Sequence, residues 1–478
     1  MHGEPMAQRE VTAVIVGAGE RGANAYGPRI HRPGVGRIVG LAEPDDGRRA
    51  AAAARFAVAP EACFRTWDDL FARPRMAEIA VVATGDTQHV EPTLLALAAG
   101  YHVLLEKPMA LDDDGCRRIV EAADAAQRNV VVCHVYRHSH LFAALQRVVV
   151  SGALGRVLSI QLSENVAFWH YAHSYVRGLT RRSRVPMLLQ KSCHDLDLLA
   201  WLAGAPARTV TSLVRPTELT DANAPPGAPE RCIDGCPHAP TCPYDAVALY
   251  LRLEPVLNDL AQHDRLALRA LAATVRRLRP AAQRAPLAAV RRLAEWRRWP
   301  LTAVSDDASV AAVEHALRTT RWGRCAWKVG DNDQPAAQTV DVAFANGVLA
   351  SFTMHSSSHR SMREVRVDGT HGSARGELAG LEQWLEVTDH RTGRTRRTDF
   401  PVTTDGHGGG EGPLVGELLR AVRDGTRAGT SARDAWESHR IAFAAMRSAA
   451  TGAAVRLADA GFQPEVLPLE GSMDRRMP

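Results

Sequence analysis

The apolar positions change their period near residue 135. Before that point, short runs of consecutive apolar residues alternate with stretches of helical spacing. VTAVIVGAG (11–19), RIVGLAEPD (37–45), EIAVVAT (78–84), YHVLLE (101–106) and NVVVCHV (129–135) each read as a strand buried on both faces. Residues 20–31, 46–57, 89–99 and 112–127 carry helical patterns between them. Strands alternating with helices predict an α/β unit, a doubly wound parallel sheet over residues 1–135.

After residue 136 the strand-like stretches come in series, separated by turns. GRVLSIQLSE, RTVTSLVRP, QTVDVAFANGVLASFTMHSS and REVRVDGTHGSARGEL predict a large, open, mostly antiparallel sheet. With helices at 194–203 and 431–449, this makes a C-terminal α+β domain over 136–462. Residues 225–245 form a loop rich in proline and cysteine. Residues 255–299, rich in Leu, Ala and Arg, read as an inserted helical pair whose arginines face solvent. Residues 463–478 are expected to be a mobile tail.

Composition narrows the function classes. The 478 residues suffice for two or three domains, and 46% hydrophobic with 23% charged residues is ordinary for a globular protein. A net charge of +5 is small for this length, so nucleic acid is not expected as the main partner. No apolar run is long enough for a membrane span, and MHGEPMAQRE lacks the apolar centre of a signal peptide. A cytoplasmic protein is expected, its eight cysteines being thiols or metal ligands rather than disulfides.

Gly17, Gly19 and Gly22 match G-x-G-x-x-G between the first strand and the first helix, with Glu20 and Arg21 inside the turn. The first glycine permits the turn, the second lets backbone approach a pyrophosphate, and the third lets helix and strand pack. Glu43 stands at the end of the second strand, where a carboxylate accepts hydrogen bonds from an adenosine ribose and repels a 2′-phosphate. NAD is therefore favoured over NADP, with Arg48 and Arg49 softening the preference. A second signal is EKPMALD (106–112), which sets two charges at the end of a buried strand. Charges there are costly, and open α/β sheets bind ligands there.

VGAGERG, HVLLEKP and KSCHDLDLLAWLAG together resemble the glucose–fructose oxidoreductase/inositol dehydrogenase (Gfo/Idh/MocA) family, in order along nearly the whole chain. The resemblance implies a Rossmann domain followed by an α/β domain whose open sheet packs a partner subunit in a homodimer or homotetramer. It implies NAD(P)-dependent redox chemistry on a sugar or cyclitol. By the same resemblance, Lys107 bonds the reacting hydroxyl, Glu106 lies near the nicotinamide and holds Lys107, and Pro108 follows a cis peptide. His194 matches the catalytic histidine. A neutral imidazole suits proton removal as hydride departs. Many members carry Asp four residues before that histidine. Here Gln190 stands there, with Lys191 beside it, so these two are candidate catalytic residues without a second carboxylate. Thr84 and His89 match the nicotinamide side of the cleft.

Trp169, His173, Tyr175, Asp197 and His407 are candidate substrate contacts, since rigid aromatic and polar groups suit a sugar face. Asp197 follows His194 by one helical turn and is a candidate to orient its ring. Cys232, Cys236, Cys242 and Cys325 are a candidate closed tetrahedral site for structural zinc. C-x3-C-x5-C is not a common finger spacing, and an iron–sulfur cluster or no metal are the alternatives. The leading expectation is an NAD(P)-dependent sugar or cyclitol dehydrogenase. Two others stay open: an NAD-dependent glycosidase acting by transient oxidation and elimination, and a decayed scaffold or sensor.

Overall fold

The computed structural model describes residues 9–178, 185–262, 265–280, 282–283, 296–330, 332–379, 382–401, 403, 407–457 and 465–467. Most of the expected tail and the centre of the expected helical pair (284–295) lie outside these residues.

Six strands make the first sheet: β1 (Val11–Val16), β2 (Gly36–Ala42), β3 (Cys63–Phe64), β4 (Ile79–Val82), β5 (His102–Leu105) and β6 (Val130–Val132). Their order is β3-β2-β1-β4-β5-β6, all parallel. Val14, Ile15, Val16 and every residue of β4 are sealed from solvent, which is why these strands read as unbroken apolar runs. Strand β3, two residues long, has no period to read and was not expected. The chain turns opposite ways from β1 to β2 and from β1 to β4. The C-terminal ends of β1 and β4 therefore open a crevice.

Ten strands make the second sheet. They are β7 (Val157–Ala167), β8 (Ala207–Arg215), β9 (Ala337–Phe344), β10 (Leu349–Ser358), β11 (Met362–Gly369), β12 (Gly372–Ala379), β13 (Glu382–Asp389), β14 (Thr395–Asp399), β15 (Ala454–Arg456) and β16 (Glu465–Leu467). The order is β14-β13-β12-β11-β7-β10-β9-β8-β15-β16, and only β7 and β10 pair in parallel. Burial alternates along β9 and β10, as expected for a sheet with one covered face. Leu213 and Leu349 remain well exposed.

One helix, Ala432–Thr451, serves both domains. A reciprocal cap between Ser431 and Asp434 fixes its start. Ala432, Ala435 and Trp436 join the core beside the first sheet, while Ile441, Ala442 and Ala445 join the core under the second. A third cluster of buried residues forms a separate core between Ala228 and Cys325. It includes Tyr250, Leu253, Leu257, Val313, Leu317 and Trp322. Helices Glu254–Ala261, Leu266–Val275 and Val310–Thr319 build it, and the cysteine loop closes it. The inserted unit therefore extends on both sides of the helical pair read from the sequence.

Candidate active site

The glycine turn is set by steric necessity. Gly17 has φ +92°, and a Cβ there would lie 2.4 Å from the Ala83 carbonyl oxygen. A Cβ on Gly22 would lie 2.1 Å from the Gly17 oxygen, whereas Gly19 faces open space. That vacancy is where a pyrophosphate needs close backbone approach. Glu43, 3% exposed, accepts from the Ala18 amide at 2.9 Å and from Arg48 at 2.9 Å. A cavity of about 480 Å³ runs past Gly17, Gly19, Glu43, Arg48, Arg65 and Thr84. Its wall offers glycine backbone at one end and a carboxylate at the other, a fit for a dinucleotide. Glu20 is exposed and accepts from Asn24. Arg21 turns the other way, into the protein.

Arg21 donates to Glu106 at 2.6 Å and to Glu411 at 2.7 Å. Glu106 also accepts from the Tyr26 hydroxyl and, at 2.9 Å, from the Lys107 amide. Burial alone would push the Glu106 carboxyl up. Arg21, Lys107 and these hydrogen bonds outweigh it and bring the pKa to about 2. Glu106 is thus a fixed anion, and the two charges of EKP are not paired only with each other. The Lys107–Pro108 bond is cis. His89 braces the turn from behind, its Nδ1 2.6 Å from the Pro108 oxygen and its Nε2 3.3 Å from the Thr84 oxygen.

The Lys107 ammonium crosses between domains and donates to the Gln190 carbonyl at 2.6 Å. Four residues on, at the start of helix Cys193–Ala203, His194 is 4% exposed, and its Nδ1 has no hydrogen-bond partner among the described residues. Burial first, then the charge of Lys107, then His134, His407 and Arg363 hold its pKa well below the usual histidine range. The ring is neutral at pH 7. Its edge meets Tyr136 at 5.1 Å, His134 at 5.7 Å and His407 at 6.2 Å between ring centres. The His407 Nδ1 lies 3.0 Å from Glu411. The charge of the Lys107 ammonium thus acts on a neutral, buried imidazole.

Other candidates sit differently. Asp197 accepts two 2.6 Å hydrogen bonds from Arg137, which fixes it as a buried anion, and lies 3.8 Å from His134. His173 stacks on Trp322 at 4.5 Å and bonds Tyr250, and Trp169 packs on Trp296. Both knit the second sheet to the inserted unit. Tyr175 donates to the Gln190 side chain at 2.8 Å, on the residue whose backbone carbonyl accepts from Lys107. Lys191 stands 3.3 Å from Glu164. The second carboxylate that Gln190 lacks lies nearby in two others: Arg363 ties Glu164 (2.6 Å) to Asp195 (2.7 Å) under the Tyr136 ring.

Glu164, Arg363, His134 and Glu411 were not singled out from the sequence. They come from four distant segments, and nothing local marks them. For the cysteines, no group of three or more His, Cys, Asp or Glu side chains among the described residues stands close enough to hold a metal ion. The zinc expected from sequence has no support in this geometry as it stands. All four thiols nevertheless line one small cavity.

Residues 11–134 match the family described as "Oxidoreductase family, NAD-binding Rossmann fold" and residues 323–457 match "Oxidoreductase family, C-terminal alpha/beta domain", both of Gfo/Idh/MocA type. An inositol 2-dehydrogenase of Leifsonia xyli is 34% identical over 206 residues, 41% of this chain and 54% of that protein. Inositol 2-dehydrogenase 4 of Saccharopolyspora erythraea is 33% identical over 225 residues, 46% of this chain and 62% of that one. The chain thus spans little more than half the length of the curated relatives it matches. Levoglucosan dehydrogenase, solved with NADH and levoglucosan, shares the fold at TM-score 0.63 and 16% identity, over 94% of this chain and 99% of that one. The aldose–aldose oxidoreductase of Caulobacter crescentus does so at TM-score 0.60 and 15% identity, over 94% and 100%. None of these is named a glycosidase, so glycoside cleavage by transient oxidation gains no support. No described helix is long and apolar enough to cross a membrane.

Proposed function

The chain belongs to the Gfo/Idh/MocA family of NAD-binding oxidoreductases, and we propose that it moves a hydride between a nicotinamide cofactor and a secondary alcohol or ketone of a sugar or cyclitol. The observation that carries this reading is the reach of Lys107 across the interdomain crevice to the Gln190 carbonyl, four residues before His194, whose ring feels its charge. A bound nicotinamide supplies the hydride acceptor or donor. His194, kept neutral by burial and by Lys107, takes the hydroxyl proton on oxidation and returns it on reduction. Lys107 stabilises the developing negative charge on oxygen in a site shielded from water. Gln190 and Tyr175 hold the ammonium in place, and Glu106, anchored by Arg21, supplies its counter-charge.

Glu43 favours NAD over NADP, because its buried carboxylate repels a 2′-phosphate and Arg48 is already engaged with it. The exposed leucines of the second sheet, Leu213 and Leu349, support a homo-oligomer formed through that face. The test is NADH production with myo-inositol, levoglucosan and a panel of aldoses. Turnover that disappears in Lys107→Ala and in His194→Gln, with cofactor binding retained, supports the reading. Undiminished turnover in both variants would falsify it.

A further inference from the structure

The inserted unit carries four thiols that neither the hydride chemistry nor the crevice uses. Two of them, 93 positions apart in sequence, are brought together by backbone. Arg231 and Arg324 form an isolated antiparallel bridge, and the Cys325 amide donates to the Glu230 carbonyl at 2.9 Å. Cys232 and Cys325 follow that bridge side by side, 8% and 4% exposed, and hydrogen-bond each other. Gly235, at φ +84°, turns the loop back so that Cys236 returns toward Cys232. Cys242 completes the set, and all four line one cavity of about 20 Å³.

Two further observations point to a ligand. The sulfurs receive backbone N–H groups: Cys325 from Trp327 and Lys328, Cys242 from Tyr244, Cys232 from Ala246. Such donors stabilise sulfur carrying negative charge. Arg177 is the other. It is 1% exposed, donates to the Cys232 sulfur at 3.8 Å, and has no carboxylate at ion-pair distance among the described residues. Its Nη1 has no hydrogen-bond partner. The other partners of Arg177 are the neutral carbonyls of Arg324 at 2.8 Å and Tyr244 at 2.6 Å, and the buried Asp245 that lines the same cavity is the carboxylate acting on it, so a second counter-charge would favour this buried cation. Four thiolates around a divalent ion carry a net charge of about −2, which would supply one.

We propose that Cys232, Cys236, Cys242 and Cys325 bind one divalent, thiolate-preferring metal ion of the zinc class. The half-buried Cys236 and Cys242 swing inward on uptake to close the tetrahedron. Closure fixes Arg177, whose segment also carries Tyr175, the partner of Gln190. The site is structural and independent of the proposed hydride transfer.

The test is the metal content of the full-length chain purified without chelator, with reconstitution by Co²⁺. About one ion per chain, thiolate-to-cobalt charge-transfer absorption, and loss of both in Cys236→Ser and Cys242→Ser are expected. Stripping the ion should expose four additional thiols to a thiol reagent. A metal-free chain that takes up no Co²⁺ with its thiols reduced overturns the proposal. So does an iron–sulfide chromophore, or a full equivalent of metal retained in both serine variants. Arg177→Met, which keeps all four thiols, should weaken Co²⁺ binding by ~10-fold or more, and unchanged affinity would remove the argument from the buried cation.

Discussion

The two halves of the crevice are made in opposite ways. The cofactor half is built from one continuous stretch of chain, β1 to β5, and its shape is set by backbone: a glycine at φ +92°, a second with open space above it, and a carboxylate at a strand end. The half proposed to meet substrate is assembled from side chains that meet only in three dimensions. Lys107, Tyr136, Glu164, His194, Arg363 and His407 come from six segments and are held by long-range contacts such as Arg363 to Asp195 and Arg21 to Glu411, 168 and 390 residues apart. Backbone geometry tolerates almost no substitution but says little about which chemistry follows. Converging side chains define the chemistry and leave little local trace.

Substitutions should separate the halves. Lys107→Ala should lower kcat by ~10³-fold while the dissociation constant for NAD changes by less than ~3-fold, since it removes charge stabilisation at the reacting oxygen and nothing from the turn. Single-turnover kinetics with cofactor titration reads both, and equal losses in the two would abolish the distinction drawn here. Gly17→Ala is the converse. Its Cβ would meet backbone at 2.4 Å, so NAD affinity should fall by ~100-fold, or the domain should lose stability by about 3 kcal/mol. Calorimetry and thermal melts check this.

Acid should act through the buried histidines around the proposed site. Burial depresses the pKa of His134 to about 4, and that of His439, 2.7 Å from the Ala435 carbonyl, to about 3. The unfolded chain binds these protons at higher pH than the folded one. The stability is therefore intact above the unfolded value near 6.5 and is lost as pH falls toward 4 and then 3, by on the order of 3 kcal/mol per ring. Urea melts from pH 7 to 4 should show a falling midpoint, and His134→Phe should flatten the slope. A midpoint independent of pH would mean that the rings are not buried neutral. The smallest effect concerns Glu43→Gln, which should narrow the preference for NAD over NADP by ~10-fold or less, because only the repulsion of a 2′-phosphate is removed. Paired Kd measurements decide it, and an unchanged ratio would shift the discrimination to Arg48 and Arg65.

Much of the first domain was legible because fully buried strands must be apolar and turns at positive φ call for glycine. All five strands read from the sequence lie within two or three residues of their place; the two-residue β3 did not register. EKP was legible as chemistry because charges beside an apolar run stand out, and KSCHD through its resemblance to the family's motif. The helix Glu411–Asp424 was not, since the glycines of DGHGGGEG read as a loop, and Glu411 with it. The neighbours of Asp197 and His173 were not legible for a related reason. Spacing along a helix tells which residues share a face, not what that face meets. Arg137 and Trp322 answered that question from elsewhere in the chain.

By itself the amino-acid sequence determined the parallel sheet, the glycine turn with its acidic partner, and the lysine and histidine of the proposed chemistry. The first two depend on local sterics or on the period of burial, and the lysine and histidine on a resemblance carried by short motifs. Only the tertiary structure decided that Arg21 anchors Glu106 instead of a phosphate, that Arg363 joins Glu164 to Asp195, and that four distant cysteines share one cavity. Those outcomes depend on which segments a fold brings within a few ångströms, and contact energies decay too steeply with distance for separation along the chain to encode them.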